Sequence, residues 1–384
     1  MTVALPWSLE CSACGKTRGA DGRPGVCDCG QPYLVRYPAA PHPDVKSQLC
    51  DRPWTMWRYR EWLPLADGES PVTLGEGGTP LLAVERVAAR HGFGDLWVKE
   101  ESCNPTGSFK ARGLAAAVTR AAHAGVRRLV VPTAGNAGVA LAAYAARAGV
   151  AARVYAPAST PPVILTQIRS FGAELVLVEG HIGDCGKAAR AYAADTGAMD
   201  VSTLREPYRI EGKKSLGLEV VEQLGWTLPD VIVYPTGGGT GLIGMWKAFQ
   251  ELRASGWVLG APPRMYSVQS SGCAPVVKAF DEGADRCTPW PDPVTVAAGL
   301  RVPAPLGDRL MLRALRESGG GAVAVSDTQL TAAARELQTQ EGIDAAPEGG
   351  ATLAAVIALK ECGTLSGDER IVLFNTGAGW LYRG

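Results

Sequence analysis

The sequence predicts a two-domain α/β protein on parallel sheet, preceded by a small cysteine-rich appendage. Three observations carry that expectation. Short apolar, β-branched runs alternate with helical patterns from about residue 95 onward. Several of the predicted strands run straight into glycine-rich turns, as in doubly wound sheets that hold ligands at strand ends. The length, 384 residues, exceeds what one average core accommodates.

The elements follow in order. Residues 1–48 carry cysteine, glycine and proline with little periodicity, and form a separate segment. The aromatic, basic stretch WTMWRYREWLP (54–64) reads as core packing, and the glycine-rich LGEGGTPLL (74–82) follows it. DLWVKEE is a strand, 113–125 a helix, RRLVVPT a strand, and AGNAGVALAAYAARAG turns into a helix. AARVYAPA and AELVLVEG are strands flanking the helix PPVILTQIRSFG. The pattern resumes with PDVIVYPTGGG, a helix over 241–253 and the strand RMYSVQ, and ends at ERIVLFNTGAG. Apolar runs alternating with helices indicate parallel strands with crossover helices. We expect a large domain of 49–106 and 186–384, with 107–185 inserted as a smaller one.

Bulk properties exclude several classes. The 38 basic residues balance 38 acidic ones, so no global field favours nucleic acid or an anionic membrane. The opening MTVALPWSLE lacks a basic region followed by an apolar run, and no long uncharged stretch suits a membrane span. A cytoplasmic protein is the expectation.

The glycine turns suggest chemistry. YPTGGGTG places Gly237, Gly238, Gly239 and Gly241, with Thr240, between a strand and a helix. Missing side chains let backbone amides converge on an anion such as a phosphate, although a tight βα turn has the same composition. It is neither a Walker loop nor GxGxxG. Thr133, Ala134, Gly135, Asn136 and Ala137 offer a hydroxyl, an amide and helix-start N–H groups suited to a carboxylate; Asn136 is equally a plain cap. Thr376 puts a neutral hydroxyl at another strand end. Lys110, in NPTGSFKARG, completes a pyridoxal phosphate constellation: a lysine that forms a Schiff base and shuttles a proton. A solvated surface lysine is the alternative.

PTGSFKARG, TAGNAG, TGGGTG and NTGAG occur here in the order found in fold type II pyridoxal phosphate enzymes, whose fold is tryptophan synthase β-like. WRYREWLP, GEGGTPLL, PYRIEGKKS, IGMWKAFQEL and GCAPVVKAF resemble the threonine synthase branch, from about residue 54 to the C-terminus. The resemblance implies that Lys110 is the Schiff-base lysine, with Ser108 and Phe109 shaping its turn. Asn136 would bond the cofactor's phenolic oxygen, and Thr133 to Ala137 the substrate carboxylate. Gly237 to Gly241 would cradle the cofactor phosphate, and Thr376 would face the pyridine nitrogen, which suits elimination and replacement. The implied reaction is O-phosphohomoserine and water to threonine and phosphate. Arg209, Lys213, Lys214 and Ser215 are candidates for the leaving phosphate. The resemblance also implies a small amino-acid substrate and a homodimer.

The sequence departs from the branch at Ala111, Glu206, Lys213 and Glu348, the last within APEGGATLA. These leave other substrates open: an ammonia-lyase for threonine or serine, a β-replacement enzyme, or an inactive scaffold. Finally, Cys11, Cys14, Cys27 and Cys29 have the spacing C-x2-C-x12-C-x-C, which suits a tetrahedral structural zinc ion; a ribbon that has lost its metal is the alternative. Branch members often carry such a zinc-ribbon-like segment. The four histidines lie outside every motif.

Overall fold

Three antiparallel strands, β1 (Ser8–Cys11), β2 (Thr17–Gly19) and β3 (Tyr33–Arg36), form the first sheet, in the order β2-β1-β3. The computed structural model describes residues 5–21 and 25–383. The reading of the N-terminus therefore falls in part on residues outside the described ones, as does part of the cysteine segment. Trp7, Leu9, Val35 and two of its cysteines pack against Ala117 and Tyr208 of the main body.

Strands β4 (Leu81–Ala83) and β5 (Asp95–Glu100) lead into four parallel strands: β6 (Arg128–Pro132), β7 (Ala151–Pro157), β8 (Glu174–Val178) and β9 (Met199–Asp200). These form a sheet in the order β8-β7-β6-β9. Strands β10 (Val231–Pro235), β11 (Arg264–Ser270), β12 (Gly321–Val325) and β13 (Arg370–Asn375) complete a six-stranded sheet, β12-β11-β10-β13-β5-β4, in which only β4 runs antiparallel. Its central strands are covered on both faces: Val231, Ile232, Val233, Ile371, Val372 and Leu373 are all fully buried. That is why they read as continuous apolar runs instead of alternating ones.

Two boundaries differ from expectation. Residue 185 falls inside the helix Ile182–Thr196, and β9 beyond it pairs with β6, so the second sheet draws on residues up to 200. A two-residue strand carries too little periodicity to be read from sequence. The helix expected from 113 begins at Lys110 and runs to His123. Gly113 obscured its start, but that glycine sits in a close helix contact: a Cβ there would lie 3.1 Å from the Arg209 carbonyl. The aromatic stretch 54–64 is core, with Met56, Tyr59 and Trp62 buried.

Beneath the Lys110 helix lies a buried charge network. Arg112 Nε and NH2 donate to Glu101 at 2.7 Å, and NH1 and NH2 donate to Glu219 at 2.7 and 2.8 Å. Lys99 Nζ adds a bond to Glu219 at 2.9 Å. Burial alone would raise the Glu219 carboxyl, but Arg112 and Lys99 hold it well below the usual range. The network ties β5, the helix Lys110–His123 and the helix Tyr208–Gln223 into one unit.

Candidate active site

Four strand ends meet at one cleft of about 1020 Å³. After β5 the chain turns through Thr106, a non-glycine residue with φ +66°, and Gly107 at +69°. Such left-handed backbone costs about 1–3 kcal/mol and persists where surroundings impose it. The turn is held by β13's extension: Phe109 N donates to the Thr376 carbonyl at 3.1 Å, and Ala378 N to the Gly107 carbonyl at 3.0 Å. Lys110 is thereby the first residue of its helix, with its amine facing the cleft.

Lys110 is partly buried, with its Nζ 4.1 Å from the Phe109 ring centroid. Burial, and secondarily the Arg209 guanidinium, pushes its pKa down to about 7, against an opposing pull from Glu348. An amine of that kind is a nucleophile and base near neutrality. Lys213 presses on the same ring, 3.8 Å from the centroid, and donates to the Phe109 carbonyl. Burial and the neighbouring Lys110 hold its amine well below the ordinary lysine value.

After β6, Thr133 to Ala137 line the cleft, and Thr133 Oγ1 accepts from Gly135 N at 3.1 Å. Asn136 opens the helix Asn136–Ala148; its Nδ2 would lie 3.3 Å from a Cβ on Gly377, beside Thr376. After β10, Gly237 to Gly241 border the cleft, and Thr240 starts the helix Thr240–Ala254. Its N-cap, Gly239 (φ +79°), supplies no side-chain acceptor, so the first helical amides have no partner within the helix. The glycines are enforced from behind: a Cβ on Gly237 would come within 2.1 Å of the Gly299 carbonyl, and one on Gly241 within 1.9 Å of the Tyr234 hydroxyl. A close-packed, side-chain-free turn with open amides fits a phosphate monoester.

Of the four candidates for the second anion, Arg209 alone lines the cleft. Its NH1 donates to the Val201 carbonyl at 2.8 Å and its Nε has no partner among the described residues. Lys214 points elsewhere, pairing with Glu211 at 2.8 Å and Glu251 at 2.7 Å. Ser215 accepts from Arg112 at 3.0 Å and donates to the Gly212 carbonyl at 2.7 Å. The physical reason is periodicity. PYRIEGKKS lies at the start of a helix, Tyr208–Gln223, whose every face is buried, so residues about 100° apart meet different neighbours. Glu206 lies just before that helix, accepting from Tyr208 N at 2.7 Å, and burial raises its pKa to about 7 despite Arg209.

Other cleft residues lacked a sequence signal. Tyr234, whose buried hydroxyl has no partner among the described residues, stacks edge-on with Phe109 and Phe374. The loop Gly299 to Leu306 forms another wall, and Tyr382 returns from the C-terminal turn. Glu348, noticed only as a departure, reaches in from the helix Pro347–Glu361.

The "Pyridoxal-phosphate dependent enzyme" family model matches residues 72–377. A threonine synthase of Methanocaldococcus jannaschii is 34% identical across 96% of this chain and 92% of its own length. One from Methanosarcina acetivorans is 36% identical across 97% and 91%. The chain belongs to the threonine synthase family of pyridoxal phosphate-dependent enzymes. Among solved structures, a threonine deaminase from T.th. superposes with a TM-score of 0.64 at 27% identity, over 78% of this chain and 92% of that one. Maize serine racemase, at 20% identity and TM-score 0.68 over 78% and 88%, shows the shared fold type II architecture. Members of this family are enzymes and use pyridoxal phosphate, and the residues gathered here suit it: a partly buried amine of lowered pKa, an amide-lined glycine turn, an amide side chain and a neutral hydroxyl.

Proposed function

We propose that the protein converts O-phosphohomoserine and water to threonine and inorganic phosphate. The observation that carries this is the convergence of Lys110, Asn136, the Gly237 to Gly241 turn and Thr376 in one cleft, within a chain aligned to threonine synthases over nearly its whole length. The cofactor, when bound, supplies the electron sink that acidifies protons of the substrate amino acid. The chain supplies the rest. Lys110 would hold the cofactor covalently, and its free amine would take and return the substrate proton. Thr133 to Ala137 bind the substrate carboxylate, and Arg209 receives the departing phosphate. Thr376 would offer the ring nitrogen a neutral hydroxyl, a partner that suits elimination and replacement better than transamination. A cytoplasmic homodimer is the setting we propose.

The test is a paired product assay on cofactor-loaded protein. Phosphate and threonine in equal amounts from O-phosphohomoserine are expected. Oxoacid and ammonia from threonine or serine, without phosphate release, would sink the proposal in favour of an ammonia-lyase. That second reading is favoured by Lys214 and Ser215 lying outside the cleft and by a carboxyl, Glu348, within it. The proton-holding amine sets a pH expectation as well. Because burial lowers Lys110 to about 7, kcat should fall as pH drops below about 7, where the released amine is protonated.

We further propose that the cysteine cluster holds structural zinc. The four sulfurs lie within 4.8 Å of one another, with Cys11–Cys29 at 3.4 Å and Cys14–Cys27 at 3.7 Å. Tetrahedral Zn–S bonds of about 2.3 Å require sulfur separations of roughly 3.8 Å, so the donor set fits. One zinc per chain by elemental analysis, lost in Cys14→Ser with a lower Tm, is the expected result. Metal-free wild-type protein of unchanged stability would refute it.

A further inference from the structure

Tyr234 carries a buried hydroxyl that the reaction above leaves without a task. It lies near the end of β10, 1% exposed, and borders the cleft together with the Gly237 to Gly241 turn that follows it in the chain. Its ring is held edge-on against Phe109, with centroids 6.1 Å apart and planes at 77°, and against Phe374, at 5.2 Å and 63°. The hydroxyl has no hydrogen-bond partner among the described residues. Folded proteins rarely leave a buried hydroxyl unpaired, so one beside a binding cleft calls for a partner from outside the chain.

Where that hydroxyl stands decides which partner. It is the atom nearest the position a Cβ on Gly241 would take, 1.9 Å away. Gly241 is the second residue of the helix Thr240–Ala254, and in an α-helix each Cα–Cβ bond tilts back toward the N-terminus. The hydroxyl therefore lies beside the first turn on its N-terminal side, where the opening amides have no partner within the helix. Gly241 leaves that space free of a side chain, and the phenol of Tyr234 fills it from the strand beneath. The amides suit a phosphate by themselves, and the phenol adds a neutral donor of fixed direction. Burial, and secondarily the Glu101 carboxylate, holds the phenol well above the ordinary tyrosine range against an opposing pull from Arg112, so it keeps its proton.

We propose that Tyr234 is a cofactor-binding residue, whose hydroxyl donates a hydrogen bond to the phosphate of pyridoxal phosphate and completes the cradle made by the Gly237 to Gly241 amides. It recognises the phosphate and takes no part in proton transfer at the substrate. The proposal rests on that turn being the phosphate site of the reading above, but not on the identity of the substrate.

The test compares two ligands that offer Lys110 the same aldehyde and differ in the phosphate. The full chain freed of cofactor is titrated with pyridoxal phosphate and with pyridoxal, and each Kd is read from the quenching of tryptophan fluorescence. Tyr234→Phe removes the hydroxyl and keeps the ring between Phe109 and Phe374. It should weaken pyridoxal phosphate about 10-fold, the usual worth of a hydrogen bond to a charged group, and leave pyridoxal unchanged. The phosphorus NMR resonance of the bound cofactor should move as well. Because the hydroxyl bonds to nothing in the fold, the Tm of the cofactor-free protein should be unchanged or slightly higher. An unchanged Kd for pyridoxal phosphate overturns the proposal, and so does an equal loss for both ligands, which would mark a structural hydroxyl. A raised substrate KM with unchanged cofactor affinity would place the group on the substrate and overturn it too. Gly238→Asp, whose Cβ would first meet the exposed side chain of Thr203, tests the turn by itself. A carboxylate there should abolish the preference for pyridoxal phosphate over pyridoxal. If the preference survives, the turn is not the phosphate site and the proposal falls with it. If it is lost while Tyr234→Phe is silent, the turn stands and the tyrosine assignment alone fails. Neither titration needs turnover, so a wrong substrate shows only in the product assay.

Discussion

Lys110→Ala should give a folded protein that still binds pyridoxal phosphate but holds it without a covalent bond. Borohydride treatment should fix the cofactor to wild type and not to the variant. Turnover should fall by at least about 10³-fold, because nucleophile and proton carrier are lost together. The structural basis is the location of the amine. It opens a helix packed against both the helix Asn136–Ala148 and the helix Tyr208–Gln223, so the loss is confined to chemistry. Added methylamine should restore part of the activity if the missing group is an amine. Retention of more than a few per cent of wild-type turnover would remove Lys110 from its role.

Arg112→Met is expected to have the largest effect on stability. It removes the guanidinium bonded to both Glu101 and Glu219, all three fully buried. Removing one partner of a buried ion pair costs about 3–5 kcal/mol, because the remaining charges are left uncompensated. A fall in Tm of at least about 5 °C is expected. Arg112→Lys should recover little of it, since a single ammonium cannot serve two carboxylates in the forked geometry. The sign with pH follows from the depressed carboxyls. Their folded pKa values lie below 4.5, so the network's contribution is complete above that pH and declines as pH falls further. Hence the gap between wild type and Arg112→Met should narrow in acid. An unchanged Tm at neutral pH would show that this network does not stabilise the fold.

Much of the site is legible in the order of the residues. Each of the TAGNAG, TGGGTG and NTGAG turns follows a strand whose apolar run announces it, and SFK opens directly into a helix. Their chemistry is carried by a few consecutive residues and by backbone amides, so local sequence suffices. The cysteine quartet belongs to the same class, because ligand spacing is itself local.

Illegible features are those that depend on direction. Arg209, Lys213, Lys214 and Ser215 are near neighbours in the chain, yet one faces the cleft, one a backbone carbonyl, one two glutamates and one an arginine. Nothing in the segment marks it as a helix buried on all sides, which is what separates those four fates. β9 is hidden for a related reason: two residues become a strand only because β6 offers an edge.

The sheet-and-crossover class, the lysine that opens its helix at the cleft and the glycine turns beside it are all written in adjacent residues, and so follow from the amino-acid order. Which charges share the cleft is settled only on folding. The packed structure withdraws Lys214 and Ser215 from the site, keeps Arg209, and introduces Glu348 from a helix more than two hundred residues from Lys110 in the chain. A side chain's contacts are set by which face of an element is buried, and that depends on partners far away in sequence.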